Sequence, residues 1–194
     1  GNHYSKKAIE NGCSYAIVDE KEYAIYRNTI LVGNALETLQ NLAQYHRSKL
    51  SIPIIGITGT NGKTTSKEII NSILNSEKKC YSTKGNLNNH IGVPLSILEI
   101  NQKHTIAIIE MGANHIKEIS FLCDIVKPSH GIITNIGIAH LEGFGSFNKI
   151  IETKKEIYKY IKENNGLIFI NSEDKLLSKI SAKIEKKSYG EKGI

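Results

Sequence analysis

The run Gly56-Ile-Thr-Gly-Thr-Asn-Gly-Lys-Thr-Thr65 constrains this 194-residue chain more than any other feature. It lies between an apolar stretch, residues 54–58, and a stretch of helical spacing from Lys63 to Leu74. A backbone that curls tightly with its N–H groups turned inward needs residues without a Cβ, and Gly59 and Gly62 supply them. The helix that follows offers a positive N-terminus to an anion. Lys63 can reach phosphate oxygens, and Thr64 adds a hydroxyl suited to Mg2+. In the usual loop of this kind a glycine stands six residues before the lysine, where this chain has Ile57. Thr58, Gly59, Thr60, Asn61, Gly62, Lys63, Thr64 and Thr65 are therefore the expected phosphate cradle. The alternative is a glycine-rich strand-to-helix turn that holds nothing.

The rest of the chain repeats the same alternation. Apolar runs at 54–58, 105–110, 131–135 and 167–171 predict strands. Helical patterns at 63–74, 93–98, 115–123, 147–163 and 174–182 separate them. Strands apolar throughout and separated by helices predict an α/β fold, a phosphate-loop-type parallel sheet with helices on both faces. Ligands of such sheets sit at the carboxyl ends of the strands. Ahead of it, short strands at 14–18 and 29–32 and a helix from Asn34 to about Lys49 suggest the tail of a small α/β domain. The residue before a proline leaves the helical region, so Ser51-Ile52-Pro53 is the expected boundary, between domains 1–50 and 51–194.

Composition narrows the classes. With 40% hydrophobic and 23% charged residues the chain is globular rather than disordered. No apolar run approaches a membrane span and no basic-then-apolar leader opens the chain, so a cytoplasmic protein with no membrane partner is expected. The net charge of +6 raises nucleic acid as a partner. Only Arg27 and Arg47 are arginines, however, and the lysines are expected on solvated helix faces, so no nucleic-acid partner is expected. Cys13, Cys80 and Cys123 lack metal-ligand spacing and are expected as reduced, mostly buried thiols.

Further candidates fall just after strands. Glu110 ends an apolar strand, where phosphate-loop proteins place a metal-binding carboxylate; a solvated strand-end acid or a helix cap is the competing reading. Asn135 and His140 follow the next strand and so reach the same edge. His140 as a packing or solvent residue competes with His140 as a ligand, because Mg2+ prefers oxygen. Asn86, Asn88, Asn89 and His90 are either substrate contacts or turn formers.

Together these segments resemble the Mur ligases. Residues 58–65 are similar to their nucleotide loop, which also carries an aliphatic residue at the position of Ile57. Residues 83–94, 110–114 and 134–146 resemble the branch that joins D-alanyl-D-alanine to a UDP-N-acetylmuramoyl-tripeptide. The resemblance runs from Gly1 to about Tyr158. It implies an ATP-dependent carbon–nitrogen ligase of peptidoglycan synthesis working through an acyl phosphate, with ATP and Mg2+ required and a monomeric state expected. It implies Mg2+ ligation by Thr64, Glu110 and His140, nucleotide contacts from the loop and Asn135, and catalytic roles for Lys63 and His140. Thr153-Lys154-Lys155-Glu156 matches a segment whose lysine is carbamylated by CO2 in that family, although Thr153 and Lys155 depart from its pattern. Lys154 is the candidate, with a surface lysine on a charged helix as the alternative. By the same resemblance, residues 1–50 close a UDP-substrate domain, 51–194 form a truncated ATP-binding domain, and the acceptor domain is absent. The fragment alone is then expected to be inactive. Another Mur-type ligase, a folylpolyglutamate synthase, or a phosphate-loop module that ligates nothing are the competing functions.

Overall fold

The computed structural model describes residues 1–138 and 141–190. They form two compact units, Gly1–Leu42 and Ala43–Ile194. In the first, α1 (Ser5–Glu10) precedes two parallel strands, β1 (Ala16–Val18) and β2 (Thr29–Leu31). Asp19 follows β1 and accepts the Ala35 N–H at 2.8 Å, while Asn34 Oδ1 accepts that of Glu37. These two acceptors start α2 (Ala35–Ser48) by satisfying otherwise orphaned N–H groups.

The units divide inside α2 rather than at Ser51-Ile-Pro53. Ala43 joins the larger core, His46 Nε2 lies 2.7 Å from Ile100 O, and Arg47 bonds further on. Its Nε donates to Val126 O at 2.7 Å, and its NH1 and NH2 to Leu50 O and Lys127 O. The last turn of α2 thereby belongs to the second unit.

That unit is a six-stranded, wholly parallel sheet. In chain order it comprises β3 (Ile54–Thr58), α3 (Lys63–Leu74), β4 (Cys80–Ser82), α4 (Gly92–Glu99), β5 (Ile106–Glu110) and α5 (Glu118–Val126). Then follow β6 (His130–Ile133), α6 (Leu141–Phe144), α7 (Phe147–Glu163), β7 (Leu167–Asn171), α8 (Lys175–Ile180) and β8 (Lys186–Tyr189). The spatial order is β4-β5-β3-β6-β7-β8. β3 is central and pairs with both β5 and β6. The chain changes direction across the sheet between those two neighbours, which opens a crevice at their carboxyl ends.

Every residue of β3 is buried, so its side chains feed both faces. Ile55 and Ile57 join Ile108 and Ile132 on one face, under Ile70 and Leu74 of α3. Ile54, Ala107, Ile109 and Ile133 face the larger core, built with α4, α5 and α7. Gly56 is required on that face, because a Cβ there would stand 2.7 Å from the Met111 methyl.

Three details depart from expectation. The edge strands β4 and β8 have no apolar run to reveal them; β8 reads Lys-Lys-Ser-Tyr, a charged edge of the kind that resists further pairing. α5 begins at Glu118 rather than near His115, since Lys117 adopts φ 69° and the Glu118 carboxylate takes the N–H groups of Asn114 and His115. Of the thiols only Cys123 is buried; Cys13 is exposed and Cys80 intermediate. Among the described residues no helix is long and apolar enough to cross a membrane.

Arg47→Ala would remove a donor from three carbonyls, that of Val126 in a buried contact. The expected cost is about 3 kcal/mol of unfolding free energy, read as a lower urea midpoint at unchanged slope.

Candidate active site

The phosphate loop hangs between β3 and α3, braced from behind by the segment after β6. Thr60 N–H donates to Asn135 O at 3.1 Å, and Thr60 Oγ1 accepts Gly137 N–H at 2.9 Å. Asn135 spends its side chain on Asn61, with Oδ1 accepting the N–H and Nδ2 donating to the carbonyl. Thr134 Oγ1 also donates to Asn61 O, at 2.7 Å. Asn135 is thus placed as a brace of the loop. A Cβ on Gly59 would run into the Thr134 hydroxyl, and Gly62 caps α3 in a left-handed conformation, φ 76°. Gly59 is therefore needed for space, and Gly62 for its left-handed backbone, since a Cβ there would meet nothing. Thr58 is fully buried at the end of β3, and its hydroxyl has no hydrogen-bond partner among the described residues. Thr65 lies exposed in the first turn of α3.

Lys63 opens α3 and folds back over the loop, donating to Gly59 O at 2.9 Å and Thr60 O at 3.1 Å. Burial lowers its pKa, and the negative charge of Glu110 works against that shift.

Glu110 ends β5 with 1% of its surface exposed, which excludes the reading of a solvated acid. Its Oε2 accepts the Thr64 hydroxyl at 2.9 Å, and its Oε1 accepts Asn88 Nδ2 at 2.8 Å. Its own N–H donates to Thr83 Oγ1. Thr64 and Glu110 therefore face each other as two oxygen donors. Among the described residues no group of three His, Cys, Asp or Glu gathers to hold a metal. Such a sparse all-oxygen pair fits Mg2+, which takes one or two carboxylates and completes its shell with water and ligand phosphates. His140 lies outside the described residues.

A cavity of about 420 Å³ opens beside the loop. Lys63, Glu118 and Lys154 line it, together with Asn88, Asn89 and His90. Asn89 Oδ1 accepts the N–H groups of Ile91 and Gly92 ahead of α4, and Asn86 gives its carbonyl to the Asn88 N–H. Asn88 thus supports Glu110, while Asn89 and Asn86 shape the turn. Lys154 is only 4% exposed, so it is not a surface lysine. Burial, and then the positive charge of Lys63, push its pKa down to about 8, against the pull of Glu118 and Glu156.

Those two carboxylates escaped the sequence reading. Glu156 reaches from α7 to the start of α5, accepting the N–H groups of Lys117 and Ser120. Glu118 does the same for Asn114 and His115. For Glu118 the available signal was an acid at the first turn of a helix, where it complements the dipole; Glu156, in the middle of α7, carried no such signal.

A central parallel strand, a braced glycine loop feeding a helix, and a carboxylate on the neighbouring strand define a phosphate-loop α/β protein. Residues 57–193 match the Mur ligase middle domain, and the chain belongs to the Mur ligase family. The UDP-N-acetylmuramoyl-tripeptide–D-alanyl-D-alanine ligase of Bacillus subtilis is 37% identical over 192 residues, covering 98% of this chain. That of Haemophilus influenzae is 38% identical over 177 residues, covering 89% of this chain. A crystal structure of MurF from Acinetobacter baumannii superposes with a TM-score of 0.85 at 35% identity, covering 99% of this chain and 43% of that one. MurF ligase from Thermotoga maritima in complex with ADP gives 0.84 at 34% identity, with 98% and 44% covered. The chain spans 42% and 38% of the two curated relatives' lengths.

Lys154 should titrate near pH 8, well below ordinary lysines. Lys63→Met removes the neighbouring positive charge and should raise that value, as read by NMR of isotope-labelled lysine side chains. An unchanged Lys154 titration in that variant would contradict the arrangement.

Proposed function

We propose that this chain is the nucleotide-binding part of an ATP-dependent amide ligase that adds D-alanyl-D-alanine to UDP-N-acetylmuramoyl-tripeptide. The observation that carries the reading is the convergence of Lys63, Thr64, Glu110 and buried Lys154 on one crevice. The identity to ligases of that specificity extends over nearly the whole chain. The reaction has two steps. The terminal carboxylate of the tripeptide attacks the γ-phosphorus of ATP, giving an acyl phosphate and ADP. The amine of D-alanyl-D-alanine then attacks the acyl carbon, loses a proton, and phosphate departs.

Phosphoryl transfer between anions asks for alignment and charge neutralisation rather than covalent help. Lys63 leaves its two loop carbonyls to contact the β- and γ-phosphates, together with loop N–H groups. Thr64 and Glu110 would hold Mg2+, which neutralises phosphate charge when bound. His140 is proposed as a further ligand on the strength of the family resemblance. Asn135 keeps the loop in register, and His90 and Asn89 border the space for the tripeptide. Lys154, with a neutral amine available near pH 8, is the proposed site of carbamylation. Its nitrogen attacks CO2 and loses a proton, turning a cation into an anion beside Lys63. A monomeric, cytoplasmic enzyme is the corresponding cellular reading.

Binding is tested on the chain itself. ADP with Mg2+ should bind by calorimetry, and Lys63→Ala should weaken that binding about 10- to 100-fold, the loss of a charge-assisted contact. The ligase reading is tested on the complete gene product. Phosphate release should require both the tripeptide and D-alanyl-D-alanine; release with neither would point instead to a nucleotide switch. With isotope-labelled bicarbonate, a carbamate signal should grow as pH rises through about 8 and vanish in Lys154→Ala.

A further inference from the structure

Lys67 carries a charge that neither the loop nor the cavity uses. It lies on α3, three residues after Thr64, with none of its surface exposed. Taking an ammonium out of water is costly unless hydrogen bonds and counter-charge replace its hydration. Here they do. Its Nζ donates to Thr83 O and, at 3.0 Å, to Gly85 O, and stands 3.0 Å from Glu68 Oε1. An ammonium with three donors, seated on two carbonyls of one turn, fixes that turn against α3.

The tethered turn is the one that sets Glu110. The Thr83 hydroxyl takes the Glu110 N–H at 3.0 Å, and Asn88, five residues on, donates to Glu110 Oε1. Residues 84–87 between them are exposed, and β4, which leads into the turn, is a three-residue edge strand. The Thr83 N–H donates to Ile108 O, the Asn88 carbonyl accepts the Gly112 N–H, and Lys84 pairs with Glu99, so the two ends of the turn are tied toward β5 and Lys67 supplies its tie to α3. Thr64 and Lys67 stand at i and i+3, on one face of α3. That face grips Glu110 twice, directly through Thr64 and at one remove through Lys67 and Thr83. An apolar side chain could fill the same space but could not hold the two carbonyls.

We infer that Lys67 is a positioning residue for the metal-bound nucleotide, setting the register of the Thr83–Asn88 turn, and so of the Glu110 carboxylate, against Thr64. The inference rests on the nucleotide and metal reading proposed above. Lys67 touches neither phosphate nor metal. It acts on where one carboxylate stands, so its loss should weaken metal binding and leave metal-free nucleotide binding unchanged.

The test measures Mn2+ binding by electron paramagnetic resonance in the presence of a non-hydrolysable ATP analogue, with analogue binding in chelator measured separately. In Lys67→Gln the Mn2+ affinity should fall about 10- to 100-fold, the usual effect of losing a support behind a metal ligand. Analogue binding in chelator should stay as in the unsubstituted protein. Ile70→Ala, which lowers stability through the core under α3, should keep its Mn2+ affinity and so separate positioning from general loosening. Equal Mn2+ affinity in Lys67→Gln and the unsubstituted protein overturns the inference alone. So does an equal loss in Ile70→Ala. Absence of metal-dependent analogue binding in the unsubstituted protein overturns the nucleotide reading and this inference with it. Should Lys67→Gln not fold, Lys67→Arg keeps the cation. Its larger planar head does not fit the buried seat, so a smaller loss of the same kind is expected, and unaltered Mn2+ affinity there overturns the inference.

Discussion

The burial of β3 on both faces is the constraint from which the rest of the second unit follows. A strand with no solvent-facing side must have partners on both edges and helices on both sides, and β3 has β5 and β6 beside it. Parallel pairing sends all three carboxyl ends to one edge, which is where the phosphate loop, Glu110 and the Asn135 brace emerge. Gly56 belongs to the same constraint. It lets Met111 and Ile157 close over the strand directly beneath the loop, so the loop springs from a rigid base. Apolar packing comes first, and the polar geometry is a consequence of it.

Electrostatics at that edge is organised around a shortage of counter-charge. Lys63 and Lys154 border one cavity, and each has its pKa lowered mainly by burial. The carboxylates near them are engaged elsewhere. Glu118 and Glu156 take backbone N–H groups at the start of α5, and Glu110 takes Thr64 and Asn88. Among the described residues neither Lys63 nor Lys154 forms a salt bridge. Two cations under-compensated in a partly dry space favour an anionic occupant, because the anion supplies what the fold withholds. A carbamate on Lys154 would ease the same imbalance from within.

Much of this arrangement was legible in the amino-acid order, and the exceptions share a cause. The central strands announce themselves as apolar runs, and the loop by glycines that its conformation demands. Glu110 was legible because a strand end is a fixed place in a parallel sheet. The edge strands β4 and β8 were not, since a strand paired on one side needs no apolar run. Lys67 was the larger miss, and Lys154 stood out only through the family resemblance. Lys67 and Lys154 look like their solvated neighbours, and Lys154 even sits in a doublet with half-exposed Lys155. Burial of a lysine is decided by whether distant carbonyls or charges come to meet it, which residues 83–85 do for Lys67. Local pattern carries no trace of that. Arg47 is the same case: an arginine that looks fit for phosphate is used to close the end of α5.

These buried cations also show why α3 matters beyond its N-terminus. The helix dipole and the loop N–H groups would attract a phosphate whatever followed them in the helix. Selecting a metal-bound phosphate over a bare one requires a carboxylate held at a set distance from a hydroxyl, and carboxylates on strand ends swing unless fixed. In this chain the fixing is distributed. Thr64 holds one oxygen, Asn88 the other, and Thr83 the backbone N–H between strand and side chain. Two of those three groups lie on the turn after β4 that Lys67 ties to α3. A site built this way draws its precision from the second turn of the helix as well as from the loop sequence, so two chains with the same glycine loop can differ in how they handle a metal.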